Sequence, residues 1–203
     1  MLVVFFVVLS VVIFYTHPTA EAASLQLANN EQGEGVILLQ KQLVKMGYLH
    51  TNPTGQYGPL TTEAVRQFQG DTGLVEDGIA GPSTYRQVDN VKIMAHAVYG
   101  EARGELYAGQ VAVAAVILNR AESPEFPHAI SDIIFQKNAF TAVEDGQYFL
   151  TPDRIAYRAV IDAYKGWDPT DGAVYYYNPD TATNEWIFTR DAYKRIGSHV
   201  FAR

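Results

Sequence analysis

A chain of 203 residues has room for one ordinary domain or two small ones, and its 48% hydrophobic content excludes a largely disordered protein. The formal charge of -7 and a pI of about 5.2, with no clustered run of Lys or Arg, exclude an electrostatic affinity for nucleic acid. The chain has no cysteine, so stability must come from packing, and its five histidines (17, 50, 96, 128 and 199) show no ligand spacing, so neither a metal site nor a cofactor is expected.

Leu2 to Tyr15 form an apolar run of the length of a signal h-region, followed by His17-Pro18 and the small-residue site Ala20-Glu21-Ala22. Residues 1–22 are therefore expected to be a signal peptide. A spanning helix needs about 20 apolar residues, which makes an uncleaved anchor the weaker alternative. Cleavage removes one acid, Glu21, and no base, so the mature chain stays acidic.

The first amphipathic helix reads from Gly35 to Met46, with Val36, Leu39, Leu43 and Met46 on one face and Gly47 as its stop. A loop carrying Asn52-Pro53-Thr54-Gly55 and Tyr57-Gly58-Pro59 leads to a second helix, expected to start at Thr61 or Thr62 and to bury Ala64, Val65 and Phe68. The turn before it then repeats: Thr54-Gly55-Gln56-Tyr57-Gly58-Pro59-Leu60-Thr61 aligns with Asp77-Gly78-Ile79-Ala80-Gly81-Pro82-Ser83-Thr84. Glycine permits the tight turn and proline presets φ for a helix start. The expectation is a three-helix domain over residues 30–88. The next helix is expected to start at Val91 without a Pro/Ser-rich linker, so the two domains should touch.

Gly33-x-Gly35-Val36-x-x-Leu39-Gln40-x-x-Leu43, Gly47-Tyr48, Gly55-x-Tyr57-Gly58-Pro59-x-Thr61, Ala64-Val65-x-x-Phe68-Gln69 and Asp77-Gly78-x-x-Gly81-Pro82-x-Thr84 together resemble the peptidoglycan-binding domain found beside many bacterial wall hydrolases. That family often has aspartate where Thr54 stands.

From Val91 to Tyr99 the pattern is helical, and Gly100-Glu101-Ala102-Arg103-Gly104-Glu105 separates it from Gln110–Arg120, a helix apolar on nearly all sides and therefore buried. A carboxylate held against such a helix is desolvated, which raises its pKa and lets it carry a proton near neutral pH. Glu101 and Glu105 share a face if helix continues through Gly104, and need not if it stops there. Read alone, the segment is a solvated acidic turn with Arg103 as partner.

Context changes that reading. Val98-Tyr99-Gly100-Glu101-Ala102-Arg103-Gly104-Glu105, Gly109-Gln110-Val111-Ala112, Val116-Ile117-Leu118-Asn119-Arg120, Ala139-Phe140-Thr141-Ala142-Val143, Gly166-Trp167-Asp168-Pro169-Thr170, Tyr175-Tyr176-Tyr177-Asn178-Pro179 and Ile196-Gly197-x-His199-Val200-Phe201 resemble the catalytic domain of spore cortex-lytic enzymes. The resemblance covers residues 91–203. It implies a mainly α (α+β) architecture, lysozyme-like in this second domain, with Glu101 as catalytic acid and Glu105 in support. Gln136, Thr141 and Asn178 are expected to hydrogen-bond the sugar, and Phe140, Tyr176 and Trp186 to line the groove. In a strand, Tyr176 would point opposite to Tyr175 and Tyr177.

The resemblance also implies a lytic transglycosylase, which needs one carboxyl group, acting on spore cortex peptidoglycan during germination. The residues themselves leave Glu105, Glu144, Asp145 and Asp168 as partners for a water-using muramidase or glucosaminidase. An amidase would want a zinc ligand set, and a non-catalytic wall-binding germination protein would not need Glu101. The expected setting is secreted, in the spore cortex or cell wall, as a monomer, with peptidoglycan as partner and an inhibitory or stabilising protein in the spore.

Overall fold

The computed structural model describes residues 26–203, so the signal segment expected at residues 1–22 lies outside the described residues. Helix α1 (Glu34–Met46) buries Val36, Leu39, Leu43 and Met46 and ends on Gly47, whose φ of 89° is open to glycine at little cost. Helices α2 (Pro59–Asp71) and α3 (Pro82–Ala102) each begin directly after a glycine with proline in the first turn. The start expected at Thr61 or Thr62 thus comes two residues or more too late. Proline's missing N–H is no loss at a helix start, so the helix takes it in.

The repeated turns are held from behind by two glutamines. Gln40 in α1, 2% exposed, accepts from the Thr54 and Gly55 amides at 2.8 and 3.0 Å and donates to Gln56 O and Thr61 Oγ1 at 3.0 and 2.9 Å. Gln69 in α2, also 2% exposed, accepts from the Gly78 amide at 2.8 Å and donates to Ile79 O and Thr84 Oγ1 at 3.0 and 3.1 Å. A buried carboxamide is costly unless its groups are partnered, and here the partners fix the turn that opens the next helix.

The helix break expected between Val88 and Val91 is absent: α3 runs 21 residues without interruption. Asp89 and Asn90 are poor helix formers but not breakers, and Val88 and Val91 beside them are buried at 4% and 0% exposure. One helix about 30 Å long therefore belongs to both halves of the molecule.

Helix α4 (Tyr107–Glu122) follows, buried continuously from Gly109 to Ile117. Short helices α5 (Ile130–Ile134) and α6 (Thr141–Glu144) and a 3-10 turn at Gln147–Phe149 lead to α7 (Arg154–Tyr164), capped by Asp153 accepting from the Ala156 amide at 2.9 Å. Three short strands, β1 (Tyr175–Tyr177), β2 (Ala192–Ile196) and β3 (His199–Ala202), form an antiparallel sheet in the order β1-β3-β2, with Tyr176 opposite Phe201 and a bulge between Ala192 and Lys194. A 3-10 segment, Glu185–Thr189, lies between β1 and β2.

Helices α3, α4 and α7 pack together and α1 packs on α7, so one apolar core runs from Val36, Leu39 and Phe68 through Val91, Met94 and Val98 to Ile117 and Val160. The two halves touch, as expected. An ion pair from Lys165 to Asp71 at 3.5 Å also crosses the junction. A second small cluster of Ala112, Val116, Ala173 and Phe201 seats the sheet on α4. Among the described residues no helix is long and apolar enough to cross a membrane.

Candidate active site

Glu101 lies in the last turn of α3, and its surroundings begin with the glycine before it. A Cβ on Gly100 would stand 2.5 Å from Ala142 Cβ, so only glycine lets α6 come this close to the end of α3. The approach puts the Ala142 amide 2.6 Å from Glu101 Oε1. The Thr141 hydroxyl donates to the same carboxylate at 3.2 Å, and the Tyr176 hydroxyl donates to Oε2 at 3.0 Å. Burial pushes the Glu101 pKa up; the bonds from Ala142, Tyr176 and Thr141 pull the other way, and the charge of Asp145 adds to the rise. The balance stays above the ordinary carboxylate range. Burial, followed by the neighbouring Glu101 charge, holds the Tyr176 phenol well above its usual pKa, so it remains a proton-bearing donor.

Glu105 has a different environment. Helix α3 ends at Ala102, and the Glu105 amide closes a turn onto Ala102 O at 2.9 Å, so the two acids do not share a helix face. The Glu105 carboxylate accepts from the Ser198 amide at 3.2 Å and from the Ser198 hydroxyl, at the tip of the β2–β3 hairpin. Burial alone would raise its pKa, but the Ser198 bonds and then the charge of His199 bring it below the ordinary value. Gly197 has a φ of 58°, a left-handed conformation that favours glycine, and a Cβ there would displace the Glu105 carboxylate. His199 is 7% exposed and its ring packs edge-on against Tyr176 at 5.2 Å.

The structure brings two further expected site residues, Thr141 and Tyr176, directly onto Glu101. Phe140 is 2% exposed and lies behind them, its ring 6.3 Å from that of Tyr176, so it packs beneath the two donors with almost no surface of its own, against the expectation that it meets substrate. Tyr176 packs on Phe201 and His199, whereas Tyr175 meets Phe126 and Trp186 and Tyr177 meets Phe188, the alternation that a strand imposes. Trp186 is 47% exposed, edge-on to Tyr175 at 5.4 Å and covered on one side by the Arg190 guanidinium at 4.3 Å. Asn178 spends its side-chain oxygen on the Asp180 amide at 2.9 Å, closing its own turn. Gln136 is exposed, with its backbone oxygen accepting from Ala139 at 3.0 Å.

Sequence reasoning did not anticipate the Ala142 amide or the burial of Arg120. The signals were small ones: a glycine immediately before the acid, and an arginine closing an otherwise apolar helix. Asp168, expected among the alternative acids, accepts from Asn119, Thr170 and Gly172 and knots the loop before β1. Asp145 is engaged by the amide and side chain of Gln147.

A desolvated carboxyl group gripped by three donors, on a mainly helical scaffold with one small sheet, is able to deliver a proton to a breaking bond. The comparisons with known proteins give this class a family. The description "Cell Wall Hydrolase" matches residues 104–202, and a peptidoglycan binding domain matches residues 32–88. The spore cortex-lytic enzyme of Bacillus cereus is 41% identical over an alignment 238 positions long, covering 89% of this chain and 92% of the relative. That of Halalkalibacterium halodurans is 55% identical over 139 residues, covering 68% of this chain and 42% of the relative. The crystal structure of the catalytic domain of the Bacillus cereus SleB protein matches with a TM-score of 0.54 at 59% identity, covering 57% of this chain and 90% of that one. The catalytic domain of the germination-specific lytic transglycosylase SleB from Bacillus anthracis matches with the same score and identity over 94% of its length. The chain belongs to the spore cortex-lytic enzyme family.

Proposed function

We propose that the chain cuts the glycan strand of spore cortex peptidoglycan next to N-acetylmuramic acid during germination, as a lytic transglycosylase in which Glu101 is the single acid/base group. The observation that carries this reading is the convergence of the Ala142 amide and the Thr141 and Tyr176 hydroxyls on a carboxyl group whose burial pushes its pKa up. Glu101 gives its proton to the glycosidic oxygen as the bond from that oxygen to the muramyl anomeric carbon breaks. The sugar C6 hydroxyl then attacks the anomeric carbon, and the Glu101 carboxylate takes that hydroxyl's proton. One end leaves with a free hydroxyl, the other as a 1,6-anhydro ring, and the acid is restored.

A water-using route wants a second carboxylate facing the anomeric carbon. Of the four candidate acids, Glu105 and Asp168 have their oxygens engaged in holding the hairpin and the loop before β1, and Asp145 is tied to Gln147, which leaves exposed Glu144 as the one without such a partner among the described residues. That arrangement supports the one-acid route, as does the name of the Bacillus anthracis neighbour. Thr141 and Tyr176 act through Glu101, and half-exposed Trp186 offers a face for sugar stacking. Residues 32–88 would hold the wall while Glu101 cuts it, after export directed by residues 1–22. Digestion in heavy-oxygen water is the test: muramyl ends free of label and resistant to borohydride are expected, and labelled reducing ends would overturn the transglycosylase reading.

A further inference from the structure

Arg120, in the last turn of α4, is only 6% exposed, yet among the described residues it forms no ion pair. Its Nε donates to Val174 O at 2.7 Å, and its buried Nη1 has no acceptor. The guanidinium carbon lies 5.2 Å from the ring centres of Phe126 and Phe140 and 5.9 Å from that of Tyr175. Such rings attract a cation, but they replace water incompletely, and an apolar side chain of similar volume would serve a purely structural role better.

What Arg120 touches suggests why a charge is kept there. Phe140 immediately precedes Thr141 and Ala142, while Val174 and Tyr175 immediately precede Tyr176. These two stretches, far apart in the chain, supply every side-chain and backbone hydrogen bond that the Glu101 carboxylate receives. Arg120 grips both and makes no hydrogen bond to Glu101 itself. We propose that Arg120 is a positioning residue for Glu101: one guanidinium holds the Phe140–Ala142 segment and the Val174–Tyr176 strand in a fixed relation, so that three donors converge on the carboxylate, and its charge steadies the anion left after proton delivery. This rests on the assignment of Glu101 as the acid.

The groups around Glu101 are few. From β1 it meets the Tyr176 phenol, from α6 the Thr141 hydroxyl and Ala142 amide, and from just beyond α6 the charge of Asp145. Arg103, the nearest cation along the chain, is occupied by Gly100 O and the Gln147 side chain. Burial lowers the pKa of Arg120, and neighbouring oxygens, that of Glu101 among them, act against the fall.

The test measures kcat and apparent KM against pH for Arg120→Met, Arg120→Lys and Glu101→Gln in the full chain, on isolated cortex peptidoglycan. Activity requires protonated Glu101, so it falls as pH rises through that pKa. Arg120→Met should lower kcat roughly ten- to hundred-fold with little change in KM and move the falling limb up by about half a pH unit or more. Arg120→Lys keeps the charge and loses the planar fork, so its limb should stay in place while kcat drops. A limb unmoved in folded Arg120→Met overturns the proposal, as does a wild-type kcat in Arg120→Lys, which remains decisive if the methionine variant does not fold. An active Glu101→Gln would instead sink the assignment on which the proposal rests.

Discussion

Gln40 and Gln69 in the N-terminal half, and Glu101 at the far end of α3, are held in similar ways and do opposite things. Each is a polar side chain withdrawn from water and gripped by backbone and hydroxyl partners, drawn from the following loop for the glutamines and from segments 40 or more residues away for Glu101. The glutamine amides are neutral at every pH, so a full set of partners ends the matter and the network is scaffold. Glu101 can change charge, and its partners do not fully offset the cost of burying the anion. A tight set of hydrogen bonds is thus no mark of function by itself. What separates the two regions is a titratable group left partly uncompensated.

The largest effect should come from Glu101→Gln, which makes Glu101 resemble its amide counterparts. Loss of two to four orders of magnitude in rate, about 3 to 5 kcal/mol of barrier, is the scale for removing a general acid. Muropeptide release from cortex measures the rate, and a thermal melt should find the fold intact. An amide variant cutting at the parental rate would break the comparison. The converse change, Gln69→Ala, should leave the turnover of folded protein unchanged and lower stability by about 2 to 4 kcal/mol, because the Gly78 amide and the Thr84 hydroxyl lose their partner. Urea unfolding followed by circular dichroism checks it.

Glu101 and Glu105 sharpen the contrast through opposite pH dependence. The folded pKa of Glu105 is lowered, so its contribution is present above the unfolded value of about 4.3 and is lost as pH falls through the folded value. The folded pKa of Glu101 is raised, so ionising it at higher pH works against folding. Glu105→Gln should therefore be the less stable of the two variants relative to the parent at neutral pH, by under about 1 kcal/mol given solvent screening, with the deficit closing in acid. Glu101→Gln should match or exceed the parent at neutral pH and lose that margin in acid. Unfolding midpoints across pH decide it, and parallel curves would refute the assigned shifts.

Much of this was legible in the sequence, for identifiable reasons. The apolar steps of α1 and the all-round apolarity of α4 are local patterns, and the Gly-Pro turns repeat visibly. Glu101, Thr141 and Tyr176 sit in motifs. The continuity of α3 was not legible, because Asp89-Asn90 reads as a boundary until Val88 and Val91 are seen buried beside it. Nor was the task of Glu105, whose partner Ser198 is 93 residues away. The Ala142 amide carries no side-chain signature, and only the Cβ-free approach at Gly100 gives it away.

The smallest expected effect lies within the repeat itself, where the two turns open on different residues, Thr54 and Asp77. Asp77 Oδ1 accepts from the Gln69 side chain and from the Ile79 amide, both at 2.8 Å, whereas Thr54 Oγ1 stands 3.4 Å from the Gln40 nitrogen and 3.2 Å from the Gln56 amide. The Ile79 amide, followed by the Gln69 side chain, holds the Asp77 carboxyl below its ordinary pKa, so the anion is favoured there. Thr54 and Asp77 are both exposed, and a carboxylate at 54 would keep its access to water. Thr54→Asp should therefore copy the shorter contacts of the second turn into the first and stabilise the protein by about 0.5 kcal/mol at neutral pH. By linkage the gain is present above the unfolded aspartate pKa of about 3.9 and vanishes as pH falls through the lower folded value. Paired urea titrations at neutral and acidic pH measure it. A variant less stable than the parent at neutral pH would mean that the two turns, alike in sequence and in the glutamine behind them, are not interchangeable in their hydrogen bonding.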